Sequence, residues 1–334
     1  MVRFNEKKQI VSYENSIKKS NDFSMSKLNQ GLTLHQMQLF AYAIYCTQQN
    51  GQTEFHKAEF EKKFNQEKYQ TAHAKIDSDK IMGLRIAFED FENDKFKFTN
   101  VFSEMEYDSG KFIFNWNPKI LPHIIDLKEK YITTDLTITS KFKSSFSWTL
   151  YEYLKAHYGY WHKPLSKEAI SRLFGIEKVV SYRKNTSLLK RKVLDVAIVE
   201  INEHTEFNVW YQEEKEGRSI IGIDLHWSTG KKEAAATKSQ IKELNTIIHA
   251  VMDDMFTYVN VSNDEDRVQA IDLVSKLRDY IKYTIEPVEI TQQYAADLLE
   301  RAKIYFKQLQ LILERNNVQK PKNIFYNWLE ERED

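Results

Sequence analysis

Along the first 230 or so residues, helical and alternating hydrophobic patterns take turns; beyond residue 239 only the helical pattern remains. Leu34, Met37, Leu39, Phe40, Ala43 and Ile44 recur at helical spacing, and Thr33 is placed to cap them. A short segment, Thr53 to Phe64, follows. A longer helix is then predicted through Ile76, Ile81, Leu84 and Phe88. Two alternating runs, Lys97 to Glu106 and Lys111 to Trp116, flank Asp108-Ser109-Gly110 and predict a hairpin.

The same order then returns. Phe142, Phe146, Leu150 and Tyr153 share one face of a predicted helix. Ser166 is placed to cap a short helix over 167–174, and Gly175 to end it. A long helix is predicted over about 185–203, then a hairpin over about 206–212 and 218–227 through Glu213-Glu-Lys-Glu-Gly217. Phe64 and Phe174 stand 110 residues apart, and Phe112, Phe114 and Trp116 have apolar counterparts 111 residues on at Ile223, Leu225 and Trp227. Alternation places each trio on one sheet face. Helix, short helix, longer helix and hairpin make a winged helix, and the pattern occurs twice, as a duplication of structure more than of sequence.

Ser228 to Thr237 is small and polar and reads as a linker. Beyond it, Ile241, Leu244, Ile248 and Val251 predict one helix, and Val268, Ile271, Val274 and Ile281 a second. Ala295, Leu298, Ala302, Tyr305, Leu309 and Ile312 predict a third, capped by Thr291, and Asn260 to Asn263 form a turn. The expected fold is α+β: two tandem winged-helix domains, 1–127 and 128–229, a linker at 230–238, and a small all-α domain at 239–334. Pro321 to Arg332 reads as a final amphipathic helix completing a small bundle, with a likeness to the endings of primosome-type replication proteins as the other reading.

The chain carries 48 basic and 48 acidic side chains, and their distribution matters more than the zero net charge. Residues 1–129 hold 18 of each sign; residues 130–232 hold 17 basic and 12 acidic, net +5; residues 233–334 hold 13 and 18, net −5. From Lys178 to Lys192 there are six basic residues (Lys178, Arg183, Lys184, Lys190, Arg191, Lys192) and no acidic one. Val193, Leu194, Ala197, Ile198 and Ile201 follow on the same predicted helix. A helix with a basic start and apolar later turns can project that start into the major groove of DNA, where its free N–H groups and dipole also favour phosphate.

The expected DNA contacts are therefore Ser181, Tyr182, Arg183, Lys184, Asn185, Ser187, Lys190, Arg191 and Lys192, with Lys141, Lys143, Ser166 and Lys167 beside them. Lys190 shares its helical side with Leu194, Ala197 and Ile201, so it reaches DNA only if the core ends before its turn; otherwise it snorkels along the core edge. Lys215 and Arg218 mark the wing tip among Glu213, Glu214 and Glu216. In the first block Lys75 and Lys80 flank Asp77 and Asp79, a pattern suited to backbone contact more than base reading.

Enzyme signals are poor. None of the nine histidines forms His-x-His, the metal-binding pair of rolling-circle nicking enzymes, and no Gly-x-x-x-x-Gly-Lys-Ser/Thr loop is present. His157 and His162 read as structural residues of a loop. The single cysteine, Cys46, excludes an internal disulfide or a cysteine-built zinc site. No cofactor, metal or catalytic residue is expected. No apolar run is long enough to span a membrane and no signal peptide is visible, so a cytoplasmic location is expected.

Lys130-Tyr-Ile-Thr-Thr-Asp-Leu, Ser140-Lys-Phe, Leu150-Tyr-Glu-Tyr-Leu154 and Lys190-Arg-Lys-Val-Leu-Asp-Val-Ala-Ile followed by Glu200-Ile-Asn resemble the Rep3 superfamily of plasmid replication initiators over about residues 5 to 230. The nearest likeness is to RepB-type initiators of theta-replicating plasmids of Gram-positive bacteria, which carry a further C-terminal region. The resemblance implies two winged helices that bind repeated origin sequences, called iterons, in double-stranded DNA. The second reads the major groove, and the first adds backbone contacts and supports dimerisation. It implies monomers that initiate replication, dimers that repress the protein's own promoter, and host replication proteins (initiator, helicase or primase) as partners, for which the acidic 239–334 region is the candidate surface. Where the family often has proline this chain has Val196, which predicts a less kinked reading helix. A winged-helix transcriptional repressor with a helical dimerisation or effector domain is the alternative; it predicts a single inverted repeat near the gene, where an initiator predicts several direct repeats beside an A·T-rich stretch.

Overall fold

The computed structural model describes residues 7–25, 31–51, 53–90, 95–157, 159–285 and 289–318. The expected final helix around Pro321 to Arg332 lies outside them. The chain forms two compact units, one of residues 1–9 and 15–232, the other of residues 10–14 and 233–334.

The chain opens with β1 (Lys8–Val11), followed by β2 (Ser16–Ser20) and α1 (Asn21–Met25). Thr33 starts α2 (Leu34–Asn50) through a reciprocal cap: its hydroxyl accepts from the Gln36 N–H at 3.3 Å while its own N–H donates to the Gln36 side chain at 3.0 Å. There follow β3 (Glu54–His56), α3 (Lys57–Lys63), α4 (Thr71–Met82), a hairpin of β4 (Arg85–Asp90) with β5 (Lys95–Asn100), then β6 (Phe102–Asp108) and β7 (Lys111–Trp116). Gly83 ends α4, so the expected helix through Leu84 and Phe88 stops at Met82 and Phe88 falls in β4. Ile76, expected on the buried face, is 63% exposed. The single strand expected over Lys97 to Glu106 is two strands, divided at the buried Val101, whose N–H donates to the Leu84 carbonyl.

β8 (Tyr131–Asp135) and α5 (Leu136–Thr139) come next, followed by α6 (Ser145–Ala156), which Ser144 caps. Phe142 is buried but precedes α6, in the turn that leads into it. Next come β9 (His162–Ser166), α7 (Lys167–Leu173), α8 (Val180–Lys184), α9 (Thr186–Leu189), a π-helical turn (Lys190–Leu194), α10 (Asp195–His204), and the hairpin β10 (Phe207–Glu216) with β11 (Ser219–Thr229). His162, expected in a loop, is thus on a strand.

The duplication is visible in the sheets. One is ordered β3-β7-β6 and the other β9-β11-β10, and Phe55 opposite Phe112 corresponds to Leu165 opposite Ile223. Both apolar trios predicted from alternation are buried. The β4–β5 hairpin has no counterpart among the described residues of the second winged helix.

Pairing of β2 with β8 and a buried ion pair, Lys19 on β2 with Glu152 on α6, join the two halves of this unit. Lys7 donates to the carbonyls of Asn202 and Phe207, and Gln9 to that of His204, so the N-terminal segment closes the C-terminal end of α10.

The expected linker is structured. Its first half, β12 (Lys231–Ala234), forms a two-stranded sheet with β1. Thr237 caps α11 (Lys238–Asp253). The second unit continues with α12 (Met255–Val259), α13 (Asp264–Asp279) and α14 (Gln292–Arg315), the last capped by Thr291. Its core holds Leu244, Ile248, Val251, Leu298, Ala302, Leu309 and Ile312, as expected. In α13 the phase differs: Ala270, Leu273, Val274 and Leu277 are buried, whereas Val268 and Ile271 are 68% and 51% exposed, and Ile281 lies past the helix. Among the described residues, no helix is long and apolar enough to cross a membrane.

Candidate nucleic-acid interface

Ser166 accepts from the Ala169 N–H at 3.2 Å to start α7, and Gly175, at φ +66°, ends it. The buried Ile176 anchors the chain before it enters α8, which buries none of its residues. Ser181, Arg183 and Lys184 are exposed there, and Tyr182 is half-buried. The segment expected to enter the reading helix is therefore itself a helical turn. Asn185 separates α8 from α9, and its side chain accepts from the Leu188 N–H at 2.9 Å as the cap of the second. Ser187 is exposed on α9.

The long helix expected over 185–203 is interrupted at Lys190–Leu194, where the Asp195 N–H bonds back five residues to the Lys190 carbonyl. The irregular turn ends before Val196, which lies within the regular α10. The wider turn keeps Leu189, Val193 and Leu194 on the core side while Arg191 and Lys192 stay exposed. Because the core continues through this turn, Lys190 is the cation that runs along its edge. Its ammonium pairs with Glu213 on β10 and lies 5.8 Å from the Tyr211 ring centre. Tyr211 in turn donates to Asp195 at 2.9 Å, and burial with that hydrogen bond raises its hydroxyl above the usual tyrosine range.

Glu213 also pairs with Lys215 at 2.9 Å. Hydrogen bonds from Lys190 and then Lys215 hold its carboxyl down at about 2. Strand β10 continues through Glu216, so the acidic stretch expected in the loop is mostly ladder, with an irregularity between Glu214 and Lys215. Gly217, at φ +60°, makes the turn, and Arg218 follows it, exposed at the tip.

Lys141 and Lys143 are exposed in the turn before α6. The N–H groups of Lys143 and Ser144 donate to Glu200 on α10 at 3.0 and 3.3 Å, which fixes that turn to α10. Lys167, half-buried, is the first residue of α7. Lys75 and Lys80 are exposed on α4, the first winged helix's equivalent element. Between them Asp77 turns inward, accepting from Gln36 at 2.9 Å and from the Tyr69 hydroxyl, so it does not oppose the lysines at the surface. Sequence reasoning missed the Glu213 clamp. Its traces were the alternation that puts Tyr211 and Glu213 on one strand face and the phase of Lys190.

Comparison with known proteins matches both halves. Residues 16–155 match the family described as Initiator Replication protein, WH1, and residues 166–227 that described as Initiator Rep protein, WH2. The PI protein of Escherichia coli is 28% identical over 146 residues, 39% of this chain and 48% of that protein. The chain thus spans about half the length of this curated relative. Among solved structures, the Pi initiator protein in complex with iteron DNA is 19% identical, with 66% of this chain and 100% of that one covered at a TM-score of 0.48. Domains 2 and 3 of RctB are 10% identical, with 58% and 80% covered at 0.36. Matched by both models in order, over residues 16–155 and 166–227, the chain belongs to the initiator replication protein family, the Rep3 superfamily whose motifs it carries.

Proposed function

We propose that the chain initiates plasmid replication by binding direct repeats of its origin through the second winged helix. The observation that carries this reading is the display of Arg183, Lys184, Arg191 and Lys192 at the solvent side of the reading segment, in a chain that belongs to a family of replication initiators. The exposed turns from Ser181 to Lys192 enter the major groove, with arginine suited to bidentate contact with guanine and Asn185, Ser187 and Tyr182 placed beside it. Lys141, Lys143, Ser166 and Lys167 contact phosphates on one flank and Arg218 on the wing side. Lys75 and Lys80 add backbone contacts from the first winged helix, which also supports a homodimer in equilibrium with the monomer. Monomers open the neighbouring A·T-rich DNA, and dimers repress the protein's own promoter. The acidic helical unit recruits host replication proteins and is kept off DNA by like charge. The chain works by binding and distorting DNA in the cytoplasm, with no covalent step.

Footprinting of the purified chain on the DNA upstream of its gene tests this. Protection of several direct repeats is expected, and the same DNA should stay unnicked with magnesium or manganese. Protection of one inverted repeat alone would instead identify a repressor, and nicked product would identify an enzyme.

A further inference from the structure

The outward face of the wing sheet carries a cluster that the DNA-binding reading does not use. On β11, Asp224 and His226 are two residues apart and so point the same way, opposite to the buried Leu225 and Trp227. His162 on β9 lies directly across from His226 in the antiparallel register. His162 Nδ1 is 3.1 Å from one Asp224 carboxylate oxygen and His226 Nε2 is 3.0 Å from the other. One ligand atom from each of the three residues lies within 4.8 Å of the other two. The imidazoles are stacked, with centres 5.4 Å apart and planes 17° from parallel, and the Trp210 ring covers His226 at 5.4 Å and 8°.

Two imidazoles that share a carboxylate would be sufficient as a structural hydrogen-bonded triad. One detail goes beyond that. His226 Nε2 is sealed from solvent and has no hydrogen-bond geometry to any partner, although a carboxylate oxygen is 3.0 Å away. A sealed, unpartnered imidazole nitrogen beside a carboxylate and a second imidazole offers three donors of the kind that bind a transition-metal ion. We propose that His162, Asp224 and His226 form a binding site for a divalent transition metal, zinc in the first instance. Nitrogen and carboxylate donors suit zinc, whose bonds of about 2.0–2.2 Å are reached from this cluster by small side-chain shifts. Water fills the remaining position. The ion pins β9 to β11 at the foot of the wing, a structural role separate from the exposed cations of the reading segment. The search for His-x-His along the sequence missed it because two donors come as Asp-x-His and the third from across the sheet.

The test uses the full chain, stripped with a chelator and dialysed, then titrated with Zn²⁺ in competition with a chromophoric chelator. One zinc per chain is expected, with a rise in Tm on addition. His162→Gln, at a side chain 40% exposed and therefore tolerant of substitution, and Asp224→Asn should abolish both effects, whereas His35→Gln, in the first winged helix, should leave both unchanged. Co²⁺ in place of zinc should give visible bands without thiolate charge transfer, since Cys46 is buried and no part of the set. Absence of zinc binding to the wild-type chain, or binding that His162→Gln leaves intact, overturns the proposal.

Discussion

Glu152 turns its carboxylate on to the Lys19 ammonium and the Trp148 indole N–H, and all three side chains are sealed from water. Removing one member of such a pair strands the other's charge, at a cost of about 3–5 kcal/mol. Glu152→Ala should therefore lower stability by that order in urea unfolding, and Lys19→Met combined with Glu152→Leu should recover much of the loss; equal instability of the single and double variants would contradict this. Lys155, on the same helix, donates to the Thr133 carbonyl and the Tyr151 hydroxyl, and burial pulls its ammonium down to about 8. Between that value and the unfolded value of about 10.4 the unfolded chain binds the more protons, so the contribution of Lys155 to stability grows as pH rises above 8. The stability of the wild type relative to Lys155→Met should increase by about 1–2 kcal/mol from pH 8 to 9.5. An unchanged difference would show that the lysine is not desolvated. Legibility at this scale followed sequence distance. The caps at Thr33, Ser166 and Thr291 act within three residues and were read directly. The inward turn of Asp77 depends on Gln36, 41 residues away, and could not be.

At the scale of elements, the wing and the reading helix are tied by Glu213, which holds one lysine from each. Glu213→Gln keeps the shape and removes the charge that occupies Lys190 and Lys215. Binding to non-specific DNA should become tighter at low salt, and the slope of log K against log salt steeper by about one to two; an unchanged slope would mean that neither lysine reaches phosphate. Gly222 on β11 shows how closely β9 packs, since a Cβ there would meet the Leu165 carbonyl oxygen at 2.6 Å. Gly222→Ala should destabilise the sheet by about 1–3 kcal/mol in thermal unfolding. The winged helices were legible because a period of two and a period near 3.6 are local signals, and their 110-residue offset recurs in the register of both sheets. Three features were not. The π turn at Lys190–Leu194 is set by what packs on either side of it. Strand β12 pairs with β1, more than 200 residues earlier, and its Lys-Lys-Glu-Ala sequence carries no apolar alternation. In α13 two stripes compete, and the one with Leu273 and Leu277 faces the core over the β-branched Val268 and Ile271.

For the whole molecule, zero net charge conceals a +5 winged helix and a −5 helical region, a division visible from sequence alone. In the proposed reading, long-range attraction to DNA is local to one block, and base reading comes from a few side chains within it. What the sequence could not assign was which cations face solvent. The structure sets Lys190 against Glu213 and leaves Arg183, Lys184, Arg191 and Lys192 exposed. If these exposed turns read origin repeats, as proposed, the most direct test is the affinity of Arg183→Ala and Arg191→Ala for repeat-containing and unrelated duplexes at one fixed salt concentration. At least one of the two should lose about 1–3 kcal/mol on the repeat and much less on unrelated DNA; equal losses on both duplexes would contradict base reading and leave these arginines as phosphate contacts.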